Sequence, residues 1–90
     1  MQNENPFTAL ILITSEIKPD LKERILETLA PFTIKILDQQ SMTIRDRYFL
    51  AIFFSLDRAH AKAIENDLNE TAKRIGVDLA IDYQWKKSFS

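Results

Sequence analysis

Between an apolar run and a helix opened by proline, the chain carries Thr14, Ser15, Glu16, Lys18 and Asp20. Exposed N–H groups at a helix start attract anions, so this corner is the segment of the chain that suggests a function. Asp20 can itself fill the electrostatic role of the anion there and stabilise the helix by about 0.3–1 kcal/mol. Against an incoming carboxylate it repels by roughly 1–4 kcal/mol at about 4 Å, depending on solvent access.

Other residues offer less. The single histidine, His60, falls near a helix start, where the dipole disfavours its charged form, and no acid and nucleophile surround it. Ser15, Ser41 and Ser55 lack a nucleophile elbow or triad context, and Ser15 is expected to be a turn hydroxyl bonded to nearby backbone. Asp78 and Asp82 flank an apolar strand and are expected to face solvent or a turn. With no cysteine there are no disulfides, thiol chemistry or cysteine-based metal sites, and one histidine argues against a zinc cluster.

The elements that must position the corner can be read from pattern. Phe7 to Thr14 forms a strand with Phe7, Ala9, Ile11 and Ile13 on one face and Leu10 and Leu12 on the other, and both faces are expected to be covered. Pro19 suits a first helical turn, after which Leu21, Ile25 and Leu29 make one stripe up to Ala30. From Phe32 to Ile44 the period becomes two, with Ile34, Ile36, Met42 and Ile44 in phase. Arg45-Asp46-Arg47 reads as a hairpin turn in which Asp46 takes the left-handed backbone, and Tyr48 to Leu56 is the next strand. Asp57 caps a long helix with Ala61, Ile64, Leu68, Thr71 and Ile75 inside; Gly76 ends it, and Val77 to Tyr83 is the last strand.

This β-α-β-β-α-β order predicts an α+β, ferredoxin-like sandwich: a four-stranded antiparallel sheet with both helices on one face. Ninety residues with 46% apolar and 28% charged content fit one domain. It is expected over residues 7–85, with 1–6 as an N-terminal extension and 86–90 as a tail or linker. Phe49, Ala51 and Phe53 alternate with Tyr48, Leu50, Ile52 and Phe54, so bulky groups face away from the helices and a second copy or neighbouring domain is expected to cover them. A net charge of -1 with interspersed signs gives no field for nucleic acid or anionic membrane. Without a positive n-region or a long apolar run, the chain is expected to be cytoplasmic and soluble.

Ile13-Thr-Ser-Glu-Ile-Lys-Pro-Asp-Leu21, Ile36-Leu-Asp38, Ile44-Arg-Asp-Arg47 and the helix Asp57-Arg-Ala-His-Ala-Lys-Ala-Ile-Glu65 together resemble the N-terminal ACT domain of bacterial phosphoserine phosphatases. The resemblance spans roughly residues 9–83. It implies a regulatory module for L-serine biosynthesis that dimerises and senses an amino acid, serine first. It places ligand-binding residues at Ser15, Glu16, Ile17, Lys18, Asp20, Leu21, Asp38 and Gln40. That family's corner usually reads Thr-Gly-x-Asp-x-Pro-Gly, and this chain has Ser15, Ile17 and Asp20 where Gly, Asp and Gly stand. The second strand departs as well: the family often has a glutamine near where Ser41 stands, whereas this chain has Gln40 and Gln39, one and two places earlier.

The phosphatase chemistry of such enzymes needs an Asp-x-Asp pair in a separate domain, with Mg2+ expected there. No Asp-x-Asp occurs here, so no catalytic residue, metal or cofactor is expected in this chain. The alternative is a degenerate ACT domain that serves assembly alone. RNA-recognition motifs share the topology and display aromatics on the third strand, yet their glycines and first-strand aromatic are missing. Acylphosphatases share it as well, but Thr14-Ser-Glu-Ile-Lys-Pro19 has neither the glycines nor the arginine of their phosphate loop.

Overall fold

Strand β1, Phe7–Glu16, buries Ala9, Ile11, Ile13 and Ser15 on alternate positions, as a period of two requires when one sheet face meets helices. In the computed structural model, which describes residues 7–16 and 18–85, it is followed by α1 (Leu21–Leu29), β2 (Ile34–Ile44) and β3 (Arg47–Leu56). Then come α2 (Ala61–Ile75) and β4 (Asp78–Trp85). The expected extension at 1–6, the tail at 86–90 and Ile17 lie outside the described residues. The four strands form one antiparallel sheet in the order β2-β3-β1-β4. This is the ferredoxin-like arrangement that the pattern predicts.

Both helices pack on one face. Leu21, Ile25 and Leu29 of α1 and Ile64 and Leu68 of α2 close over Ala9, Ile11, Ile13, Leu50, Ile52 and Phe54. The helices run antiparallel, and the hydroxyls of Thr28 and Thr71 meet between them at 2.9 Å. The start of α1 therefore lies beside the end of α2.

Several boundaries differ from expectation for local reasons. Ser15 and Glu16 continue β1, because their pairing with Tyr48 and Arg47 extends the ladder past Thr14. Pro19 lies in the turn ahead of α1, whose N-cap is Asp20. Asp57 accepts a hydrogen bond from the Ala59 amide at 3.0 Å and so caps a short 3₁₀ turn, Arg58–His60, that leads into α2. In the β2–β3 turn the positive φ falls on Arg45 (56°), not on Asp46, and Arg47 already pairs with Ile44 in the ladder. Gly76 has φ 75° as the left-handed C-cap of α2, the conformation that makes glycine useful there.

The largest correction concerns β2. A bulge at Leu37 separates the pair Ile36–Phe54 from the pair Asp38–Phe53. One inserted residue turns every later side chain of the strand to the opposite face. Ile34 and Ile36 thus share the helix face with Leu56 and Phe54, whereas Met42 and Ile44 lie on the outer face with Phe49 and Arg47. They are not one stripe.

The outer face is not covered by the described residues. Leu12 is 51% exposed, Met42 57%, Ile44 53% and Phe49 37%, so the expectation that both faces of β1 are covered fails for a single copy. The reason is topological: both right-handed crossovers carry their helices over the same side of the sheet.

At the far end of the core the Tyr83 hydroxyl donates to the Ala61 carbonyl at 2.9 Å, and its ring stacks on Phe7 with centroids 5.5 Å apart. Burial, and then the Glu65 carboxylate, push its pKa up to about 12 from the ordinary 10.0. The unfolded chain therefore ionises first, and the stability from this tyrosine is complete below about pH 10 and lost as pH rises towards 12. Urea unfolding across that window should show stability falling with pH, and Tyr83→Phe should flatten the fall. An equal slope in the variant would assign the loss to other groups.

Candidate functional site

The polar corner sits where β1 leaves the sheet and α1 begins. Ser15 is buried, 3% exposed, and its hydroxyl donates to the Glu16 carbonyl at 2.6 Å. The expected bond to nearby backbone is present, though made from inside a strand rather than from a turn. Leu21 is also buried and belongs to the core of α1. Neither side chain is open to a ligand from solvent in a single copy.

Glu16, Lys18 and Asp20 are exposed. Asp20 has φ 67°, a left-handed backbone, and its carbonyl accepts the Arg24 amide at 2.9 Å while its side chain makes no capping bond. A positive φ is what glycine adopts without steric cost and what aspartate tolerates among L-residues. The glycine that the resemblance expects at this position thus has a backbone reason, and Asp20 keeps the left-handed turn while adding a carboxylate.

Asp38 and Gln40 do not join the corner. They lie on the outer face of edge strand β2, paired with Phe53 and Ala51, two strands away from β1. Gln39 and Ser41 are turned to the other face, opposite Ile52 and Leu50. The seven described residues of the expected ligand set therefore separate into a corner group and a sheet-face group within one chain, Ile17 lying outside the described residues.

Two concavities match that division. One, of about 440 Å³, is lined by Lys18, Pro19, Leu21, Arg24, Arg74 and Ile75, where the start of α1 meets the end of α2. The other, of about 390 Å³, is a groove of the outer face lined by Leu12, Gln40, Ser41, Met42, Ile44, Phe49 and Ala51. Near that groove the Arg47 side chain donates to Thr14 Oγ1 at 3.0 Å and approaches Asp78 Oδ2 at 3.4 Å, holding a polar rim beside the apolar patch. Arg24 and Arg74 had no signal in the sequence, since fifty positions separate them and only helix packing brings them together. His60 is exposed beside Phe32, with ring centroids 6.2 Å apart. Among the described residues no cluster of three His, Cys, Asp or Glu could hold a metal, and no helix is long and apolar enough to cross a membrane.

Solved structures share this fold at low identity. An ACT domain protein from Streptococcus pneumoniae superposes with TM-score 0.76 at 14% identity, covering 88% of this chain and 91% of that one. A candidate glycine cleavage system transcriptional repressor superposes with TM-score 0.83 at 15% identity, over 94% of this chain and 50% of its own. Formyltetrahydrofolate deformylase from Burkholderia mallei gives TM-score 0.76 at 13% identity, over 86% of this chain and 28% of the enzyme. The chain thus spans half or less of these two larger proteins. No curated protein matches it by sequence. A family model described as ACT domain matches residues 8–82, nearly the whole described structure, and the chain belongs to the ACT domain family.

Proposed function

We propose that this chain is a regulatory ACT module that assembles as a homodimer through the open face of its sheet and senses a small amino acid at the β1–α1 corner. The observation that carries the assembly part is the apolar patch of Leu12, Met42, Ile44 and Phe49, each more than a third exposed. A face four strands wide and about ten residues long measures roughly 19 by 33 Å. This is of the order that one partner gives to a specific interface, about 800 Å². Pairing two copies also brings sheet-face residues such as Gln40 near a second chain, which a single copy does not achieve.

Serine is the first ligand to test, on the strength of the resemblance to phosphoserine phosphatase regulatory domains. That enzyme context rests on the sequence segments alone, in particular Ile36-Leu-Asp38 and Ile44-Arg-Asp-Arg47. Ligand binding would act by favouring one packing of the two copies over another, which requires different affinity for the two. Asp20 and the inward Ser15 favour the second reading, an assembly domain without a ligand.

Calorimetry with serine, run beside solution mass, separates the two. Saturable heat with a change in assembly supports a sensor. A dimer indifferent to amino acids supports assembly alone, and a monomer at high concentration refutes the homodimer. In Ile17→Asp/Asp20→Gly the corner regains two of the three family residues and the carboxylate moves from the helix start at 20 to position 17, so serine affinity should rise by about tenfold or more at ~1.4 kcal/mol per decade. No change would show that the site was lost elsewhere.

A further inference from the structure

We propose that the cavity between the start of α1 and the end of α2 is a site for a small dianion, a phosphate group or a dicarboxylate, held by Lys18, Arg24 and Arg74. Three cations line one concavity of about 440 Å³. None of them forms an ion pair with a described residue. Asp20 is not among the groups that line it. The whole chain carries a net charge of -1, so this concentration of positive charge is local rather than a consequence of composition.

Helix-dipole stabilisation explains only one of the three. Arg74 lies in the last turn of α2, where a cation meets the negative end of the helix dipole, a place that Lys73 already shares. Arg24 and Lys18 stand at the opposite kind of end, the first turn of α1 and the segment before it, where the dipole disfavours a cation. Antiparallel packing then draws all three together against their mutual repulsion. An anion of charge two relieves both penalties at once, and no side chain caps the start of α1, which borders the cavity. Pro19, Leu21 and Ile75 form the apolar wall of the cavity. The inference does not need the amino-acid reading, although it shares the corner.

The test is an amide-resolved NMR titration of the full chain with inorganic phosphate at constant ionic strength, with succinate in parallel and chloride as control. Saturable shifts should concentrate at residues 18–24 and 74–75. Lys18→Gln, Arg24→Gln and Arg74→Gln should each weaken binding by about two- to fivefold, the range of exposed ion pairs, and the triple variant should abolish it. All three side chains are exposed, so circular dichroism should show the fold unchanged. Saturation by phosphate but not succinate assigns a phosphate ligand, and the reverse a dicarboxylate. Shifts that never saturate, spread equally to Lys35 and Lys62, or persist in the triple variant overturn the site. A response to serine without one to phosphate or to succinate also overturns it and leaves the amino-acid reading standing.

Discussion

A chain carrying Leu12→Asp and Phe49→Asp should have the solution mass of one copy, 10.5 kDa, at concentrations where the unmodified chain has the mass of two. Both positions lie on the outer face, on β1 and β3, and both are already partly open to water in a single copy. As monomer substitutions they bury no charge and give up only the partial burial of two side chains, so the fold should lose about 1–3 kcal/mol. In the dimer each carboxylate would be buried against an apolar partner without a counter-charge. Even about 3 kcal/mol for the pair raises the dissociation constant roughly a hundredfold. Analytical ultracentrifugation over a dilution series measures it. Ala63→Asp, on the exposed side of α2, is the control and should leave the mass unchanged. If Ala63→Asp dissociates the dimer and the double variant does not, the interface lies on the helix side and the reading of the sheet face is wrong.

Phe54→Ala should have the opposite character: little direct effect on the interface and a large one on the fold. Phe54 is 0% exposed, paired with Ala9 and Ile36 on the helix face of β3. Truncating a buried phenylalanine costs about 3–5 kcal/mol, transfer and residual cavity together. A domain of this size holds only about 5–15 kcal/mol in total. At about 4–8 °C per kcal/mol the melting temperature should fall by roughly 12 °C or more. Phe53→Ala makes the comparison sharper, because Phe53 is the adjacent residue and lies on the outer face opposite Leu10 and Asp38. Its loss should weaken association more than folding. Melting of both variants at low concentration, where assembly does not contribute, distinguishes the two faces. Equal melting losses would mean that the outer face is packed in the single chain.

The corner shows how far a local pattern reaches. Its position was legible because an apolar strand, a proline and a stripe of Leu21, Ile25 and Leu29 can only be a strand entering a helix. The backbone state of Asp20 was not legible. Aspartate is compatible with an ordinary N-cap, and only the closing bond from the Arg24 amide to its carbonyl selects the left-handed turn. The membership of the cavity was hidden more deeply, since Arg74 has no relation to Lys18 or Arg24 along the chain.

The sequence by itself determined the β-α-β-β-α-β order, the helix-facing residues of β1, β3 and α2, and the presence of an apolar second face. Each of these depends on a period of two or about four within one segment, and such periods survive without knowledge of neighbours. Tertiary structure alone decided the rest. The bulge at Leu37 put Met42 and Ile44 on the open face, since register is chosen by pairing with β3 and one residue reverses every side chain after it. It also separated Asp38 and Gln40 from the corner, and the antiparallel helices gathered three cations that sequence distance had kept apart.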